Sequence, residues 1–146
     1  MKNNAVRILV VDDDIDLLML LERKLKQQGY CVESAGSLAE AEYVSSQFKP
    51  HLSLIDINIG GDDGRQLCWK IKHAAGGSQT KVVLMSGLFY PTSRTLLFGA
   101  DDFVAKPFAT DFLLQRVTAQ LQNEEPAPVF TLPMMQKAEP VNLQVP

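Results

Sequence analysis

Four places along the chain put a reactive group at or just past the end of a short apolar run. Asp12-Asp13-Asp14 follows Val6–Val11, Asp56 comes late in the run that begins at His51, Ser86-Gly87 follows Lys81–Met85, and Lys106-Pro107 follows Asp102–Ala105. Brought to one rim, the carboxylates of Asp12, Asp13 and Asp56 repel one another and raise each other's pKa unless a cation neutralises them. Their hard oxygen atoms suit Mg²⁺, which accepts one or two carboxylates together with phosphate oxygens. Lys106 adds a fixed positive charge and Ser86 a hydroxyl donor. Such a set can stabilise a phosphoryl group in transfer, and a carboxylate that becomes an aspartyl phosphate is established chemistry.

For that rim to exist, the apolar runs must be parallel neighbours. Val6–Val11 is apolar almost throughout, as expected of a strand covered on both faces. A helix follows from about Asp14 to Gln28, with Leu17, Leu21 and Leu25 at spacing four and Leu18 beside them, and Gly29 stops it. Tyr30–Ala35 is the second strand. Ser37 caps a helix ending near Phe48, and Pro50 separates it from the third strand, His51–Ile57. After the loop Gly60–Gly64, a third helix over Arg65–Ala74 turns Leu67, Cys68 and Ile71 inward. Gly76-Gly77-Ser78 is a turn, Lys81–Met85 the fourth strand, Thr92–Phe98 a short helix and Asp102–Ala105 the fifth strand. Ala109–Gln122 closes the pattern with Leu113, Val117 and Leu121 on one face. Strands alternating with helices predict a single α/β, doubly wound domain: a five-stranded parallel sheet with right-handed crossovers and helices on both faces. Ligands of such sheets bind outside the carboxyl ends of the strands.

The chain has 146 residues, 46% of them hydrophobic, which suits one compact domain plus a tail. A net charge of −3 argues against nucleic acid or an anionic membrane surface as partner. Cys31 and Cys68 are too few for a disulfide framework or zinc site and read as buried free thiols. The polar start, Met1-Lys2-Asn3-Asn4, does not read as a signal peptide, and no apolar run reaches membrane-spanning length. A cytoplasmic protein is expected. Residues 123–146 carry Pro126, Pro128, Pro133, Pro140 and Pro146 and read as a Pro-rich tail or linker.

Leu9-Val10-Val11-Asp12-Asp13-Asp14, Ile55-Asp56-Ile57, Met85-Ser86-Gly87 and the run Gly99 to Phe108 (GADDFVAKPF) resemble the receiver domain of bacterial response regulators, over roughly residues 5–122. The resemblance implies a flavodoxin-like sheet of order 2-1-3-4-5 and a receiver domain spanning 1–122. It implies that Asp56 is the phosphoacceptor, that Asp13 binds Mg²⁺ directly and Asp12 mainly through water, and that the backbone carbonyl of Asn58 is a further ligand. Ser86 would hydrogen-bond the phosphoryl group, Lys106 would pair with it, and Phe103 would be the aromatic switch residue. The donor would be a histidine kinase or a histidine phosphotransfer protein. The chain would catalyse only its own phosphorylation and dephosphorylation, and so would not be an enzyme on a separate substrate. Output would pass through the face made by helix 4, strand 5 and helix 5 to an effector or a second copy; Leu88, Phe89 and Tyr90 form an apolar candidate contact there. No effector domain is read within residues 1–146, and either a free-standing receiver or a fragment cut in a linker is expected.

Three features depart from the family pattern. Gly60 stands where the family usually has proline, so the loop after Asp56 is expected to be looser. Asp62-Asp63 adds negative charge that repels phosphodonors. The stretch from Ser86 to Lys106 is about two residues short, and the loss falls on the fourth helix.

Other polar residues have plainer roles. Asp14 and Asp16 suit the N-terminus of the first helix, and Asp101-Asp102 the turn into the fifth strand. His51 and His73 lack a partner pattern, and Trp69 reads as partly buried packing. Two rival functions stand. A haloacid dehalogenase-like phosphatase would use Asp12 as nucleophile, with Asp14, Ser86 and Lys106 imitating its motifs, but it leaves Asp56 without a role. A receiver fold that acts by interaction alone would not need the intact acid pair, acceptor and lysine.

Overall fold

The computed structural model describes residues 5–74, 79–87 and 98–122. In chain order these form β1 (Arg7–Val11), α1 (Ile15–Gln27), β2 (Cys31–Ala35), α2 (Leu38–Phe48), β3 (Leu52–Asp56), a small ribbon of β4 (Asn58–Ile59) and β5 (Asp62–Asp63), α3 (Arg65–His73), β6 (Lys81–Ser86), β7 (Asp102–Ala105) and α4 (Thr110–Leu121). The five-stranded sheet runs β2-β1-β3-β6-β7 with every pair parallel. This is the expected order, with β6 and β7 as the fourth and fifth strands of the sheet.

Side chains alternate between the faces of a strand, so a sheet covered on both sides builds two cores. Ile8, Val10, Leu52, Leu54, Val83, Met85 and Val104 pack with Leu18, Leu21 and Leu25 of α1 and Leu113 and Val117 of α4. Leu9, Val11, Ile55, Val82, Leu84 and Phe103 pack with Ala41 of α2 and Leu67, Cys68 and Ile71 of α3. β3 lies at the centre and all five of its residues are buried. Each fully buried leucine, such as Leu21 or Leu25, contributes about 1.5–3 kcal/mol, enough to fix which face of α1 turns inward.

Local chemistry sets the helix ends. The Asp14 carboxylate accepts the Leu17 N–H at 3.2 Å and caps α1. Gly29, at φ +96, closes it. Ser37 Oγ accepts the Glu40 N–H at 3.2 Å, and Glu40 returns a carboxylate oxygen to the Gly36 N–H at 2.9 Å.

Several expectations are corrected. Cys31 is exposed, because it opens the edge strand β2 on the face opposite Val32; Cys68 is buried as expected. Trp69 is 49% exposed. It falls outside the Leu67, Cys68, Ile71 stripe of α3, and its ring stacks on His73 at 3.5 Å. Asp102 lies within β7, buried, where Arg116 Nε donates to it at 2.7 Å. Asp101 pairs with Lys72 at 2.7 Å and accepts the Val82 N–H at 2.8 Å. These two acids anchor β7 to α3, β6 and α4 rather than making a simple turn. The turn at Gly76-Gly77-Ser78, the Leu88-Phe89-Tyr90 patch, nearly all of the short helix Thr92–Phe98 and the tail 123–146 lie outside the described residues. Among the described residues no helix is long and apolar enough to cross a membrane.

Candidate functional site

Parallel pairing delivers the reactive groups to one rim. Val11 lies opposite Ile55, Asp56 opposite Met85, and Ser86 opposite Ala105. The ladder continues one step past the strands: the Ile57 N–H donates to the Met85 carbonyl at 2.8 Å, and the Lys106 N–H to the Ser86 carbonyl at 2.8 Å. The residue after each of β1 and β7, and the last residue of each of β3 and β6, therefore open on the same space. That space is a pocket of about 470 Å³ lined by Asp12, Asp13, Asp14, Asp56, Asn58, Ser86, Gly87 and Lys106. Of the site residues that the family resemblance implies, Phe103 alone does not line it. Its side chain is 4% exposed and sits in the α2/α3 core beside Leu84, its partner in register.

Asp12 is completely buried. One carboxylate oxygen accepts the Asp14 N–H at 2.9 Å, and the other accepts Lys106 Nζ at 2.7 Å. Asp56, 6% exposed, takes Lys106 Nζ at 3.2 Å on Oδ2 and the Asn58 N–H at 3.3 Å on Oδ1. Burial and then the charge of Asp12 push the Asp56 carboxyl above its ordinary range; Lys106 and the Asn58 N–H pull the other way without cancelling them. Burial opposes the charge on Lys106, but the hydrogen bonds and charges of Asp12 and Asp56 outweigh it, so the ammonium titrates above an ordinary lysine.

Asp13 is the exposed member of the group, and its Oδ2 accepts the Gly60 N–H at 2.7 Å. Carboxylate oxygens of Asp12, Asp13 and Asp56 all lie within 4.8 Å of one another. Three hard oxygen donors so close together fit a divalent cation, which would offset their mutual repulsion.

The loop after Asp56 is not loose. Asn58 pairs with Asp63 and Ile59 with Asp62, leaving Gly60-Gly61 as a two-residue turn at φ +58 and +91. A Gly-Gly pair between two short runs is itself a hairpin signal, and it could have revealed the ribbon. The charge of Asp63 is answered by Arg65, at 2.8 Å, which holds the Asp63 carboxyl below its usual range. Sequence reasoning also missed Gly64. Its N–H donates to the Ile57 carbonyl at 2.6 Å, and a Cβ at this position would overlap the backbone carbonyl of Asp56. Only glycine lets the start of α3 come this close to the strand end that carries Asp56.

A buried, hydrogen-bonded carboxylate beside a lysine and two further acids is suited to receive a phosphoryl group. Comparisons with known proteins agree. Residues 8–118 match the family model described as response regulator receiver domain. The chain is 30% identical over 128 residues to the phosphate regulon transcriptional regulatory protein PhoB of Rhizobium meliloti, covering 86% of this chain and 56% of that protein. It spans about half the length of the curated relatives it matches. Among solved structures, the BeF3-activated N-terminal receiver domain of Klebsiella pneumoniae RstA superposes with a TM-score of 0.70 at 30% identity, covering 79% of this chain and 97% of that one. The chemotaxis response regulator CheY4 of Vibrio cholerae, at 21% identity, shares the fold with a TM-score of 0.74 over 81% of this chain and 99% of its own. Pocket, sheet order and family match converge, and the chain belongs to the response regulator receiver domain family.

Proposed function

We propose that the chain is a phosphoacceptor of a two-component relay, with Asp56 as the accepting residue. The observation that carries this is the reach of Lys106, whose ammonium contacts both Asp56 and Asp12 at the end of the central strands. A carboxylate oxygen of Asp56 attacks the phosphorus of a phosphohistidine on a histidine kinase or histidine phosphotransfer protein. The P–O bond forms as the P–N bond breaks, and the electron pair leaves with the imidazole nitrogen. Lys106 then pairs with a phosphoryl oxygen, and the Ser86 hydroxyl donates to another. Asp12, Asp13, Asp56 and the Asn58 carbonyl would hold Mg²⁺, which supplies positive charge against the phosphoryl oxygens. The chain acts on itself rather than turning over a separate substrate.

The donor would meet the chain in the cytoplasm and dock beside the pocket. Ile15 and Met19 support docking there: on the first turns of α1, next to Asp14, they are 68% and 64% exposed. An apolar strip at the mouth of an acidic site favours a partner that is itself partly apolar. Ile15→Asp should slow transfer from a phosphotransfer protein while leaving labelling by acetyl phosphate unchanged.

Incubation with acetyl phosphate and Mg²⁺, followed by trapping and mass-spectrometric mapping, tests the central proposal. Label is expected on Asp56 and absent from Asp56→Asn. Label on Asp12 would favour phosphatase chemistry, and no label at all would favour a pure interaction module. Switching is tested separately. Beryllofluoride with Mg²⁺ should alter amide exchange in residues 86–108 more than in 30–50, and Ser86→Ala should reduce that response.

A further inference from the structure

We propose that the backbone N–H of Gly60 positions the Asp13 carboxylate for the cation, making Gly60 a positioning residue of the metal site. The inference rests on the reading of Asp13 as a ligand. Asp13 is the one exposed member of the acid cluster, so packing constrains its side chain least. Its carboxylate is instead tied by the Gly60 N–H at 2.7 Å, across 47 residues of sequence. With Oδ2 so engaged, the second oxygen is available to a cation.

The donor is firmly mounted. Gly60 stands at φ +58 in a two-residue turn whose legs pair Asn58 with Asp63 and Ile59 with Asp62. Ile59 is 1% exposed and pins one leg to the core. Asp63 pins the other, accepting from Arg65 at 2.8 and 3.0 Å. A backbone donor held this way cannot swing aside as a long side chain can, so it fixes the carboxylate at little cost in entropy. Outer partners of metal-ligating groups are typically worth about 10–100-fold in metal affinity. Proline, the usual residue here in the family, has no N–H. The device therefore belongs to the glycine form of the loop.

The test replaces Gly60 by glycolic acid, which exchanges the N–H for an ester oxygen and keeps the residue's freedom at positive φ. Mg²⁺ binding to the full chain is measured by calorimetry beside Asp13→Ala and Gly60→Asn. The ester should bind Mg²⁺ about tenfold more weakly. Gly60→Asn should bind as the parent does, because asparagine keeps the N–H and tolerates this backbone region. A Cβ there would meet Asp13 Oδ2 only at 4.0 Å. Loss of binding in Asp13→Ala with parental or tighter binding in the ester would overturn the positioning role and leave the site standing. Parental binding in Asp13→Ala would overturn both.

Discussion

Lys106 Nζ lies 2.7 Å from Asp12 Oδ2, closer than its 3.2 Å approach to Asp56. The lysine thus neutralises a fully buried acid, and under the proposed function it would also pair with a phosphoryl oxygen. Lys106→Met should slow labelling by acetyl phosphate by at least roughly tenfold, as loss of a charged transition-state donor does. It should also destabilise the domain in EDTA by about 1–3 kcal/mol, because a buried Asp12 oxygen loses the partner that the half-buried Lys106 supplies. Mg²⁺ should recover part of that loss in a thermal melt. An EDTA melt identical to the parent's would show that Lys106 does not hold Asp12.

Asp56 carries a cost that its removal should reveal. Its carboxyl is raised first by burial and next by Asp12. A carboxyl raised in the folded state makes no difference at a pH below both its unfolded and folded pKa. As pH rises from the unfolded value through the folded one, stability is lost, and above the folded value the full penalty stands. Asp56→Asn should therefore melt a few degrees higher than the parent at neutral pH in EDTA. The gain should vanish in acid below the ordinary carboxylate range. A gain that is the same at both pH values would point to a cause other than ionisation.

Gly64→Ala should damage the site without touching a reactive group. The new methyl would overlap the Asp56 carbonyl, so either the end of β3 or the start of α3 must move. Strain of this kind costs about 1–3 kcal/mol, and a small displacement of Asp56 is enough to slow labelling severalfold. Urea denaturation and acetyl phosphate labelling measure the two effects. Parental values in both would show that the contact relaxes freely.

Arg116 and Asp102 form a buried ion pair between α4 and β7, with side chains 4% and 5% exposed. Arg116→Met should cost about 3–5 kcal/mol, because it strands a buried carboxylate. Arg116→Met combined with Asp102→Val should recover most of that loss, since two apolar side chains of suitable size need no partner. Equal destabilisation in the single and double variants would mean that packing, and not the charge left behind, sets the cost.

The sequence by itself determined the alternation of strands and helices, the inward faces of α1 and α3, the caps at Asp14 and Ser37, and the ends of β1, β3, β6 and β7 at which Asp12, Asp56, Ser86 and Lys106 appear. These are local properties: side-chain period and capping chemistry act over four residues or fewer, so neighbours in sequence carry them. It also carried the family motifs, and with them the sheet order. Only the tertiary structure decided which partners these residues take. Lys106 reaches Asp12 across 94 residues and Asp56 across 50, and Gly60 reaches Asp13 across 47. Arg116 selects Asp102, which looked like a turn residue because nothing near it in sequence announces a buried cation. Cys31 is exposed because β2 is the sheet edge, and Gly64 must be glycine because of where Asp56 lies. Pairings like these follow from strand register and from how close α3 and α4 pack to the sheet. Those distances are fixed only when both cores are assembled, so no short window of sequence contains them.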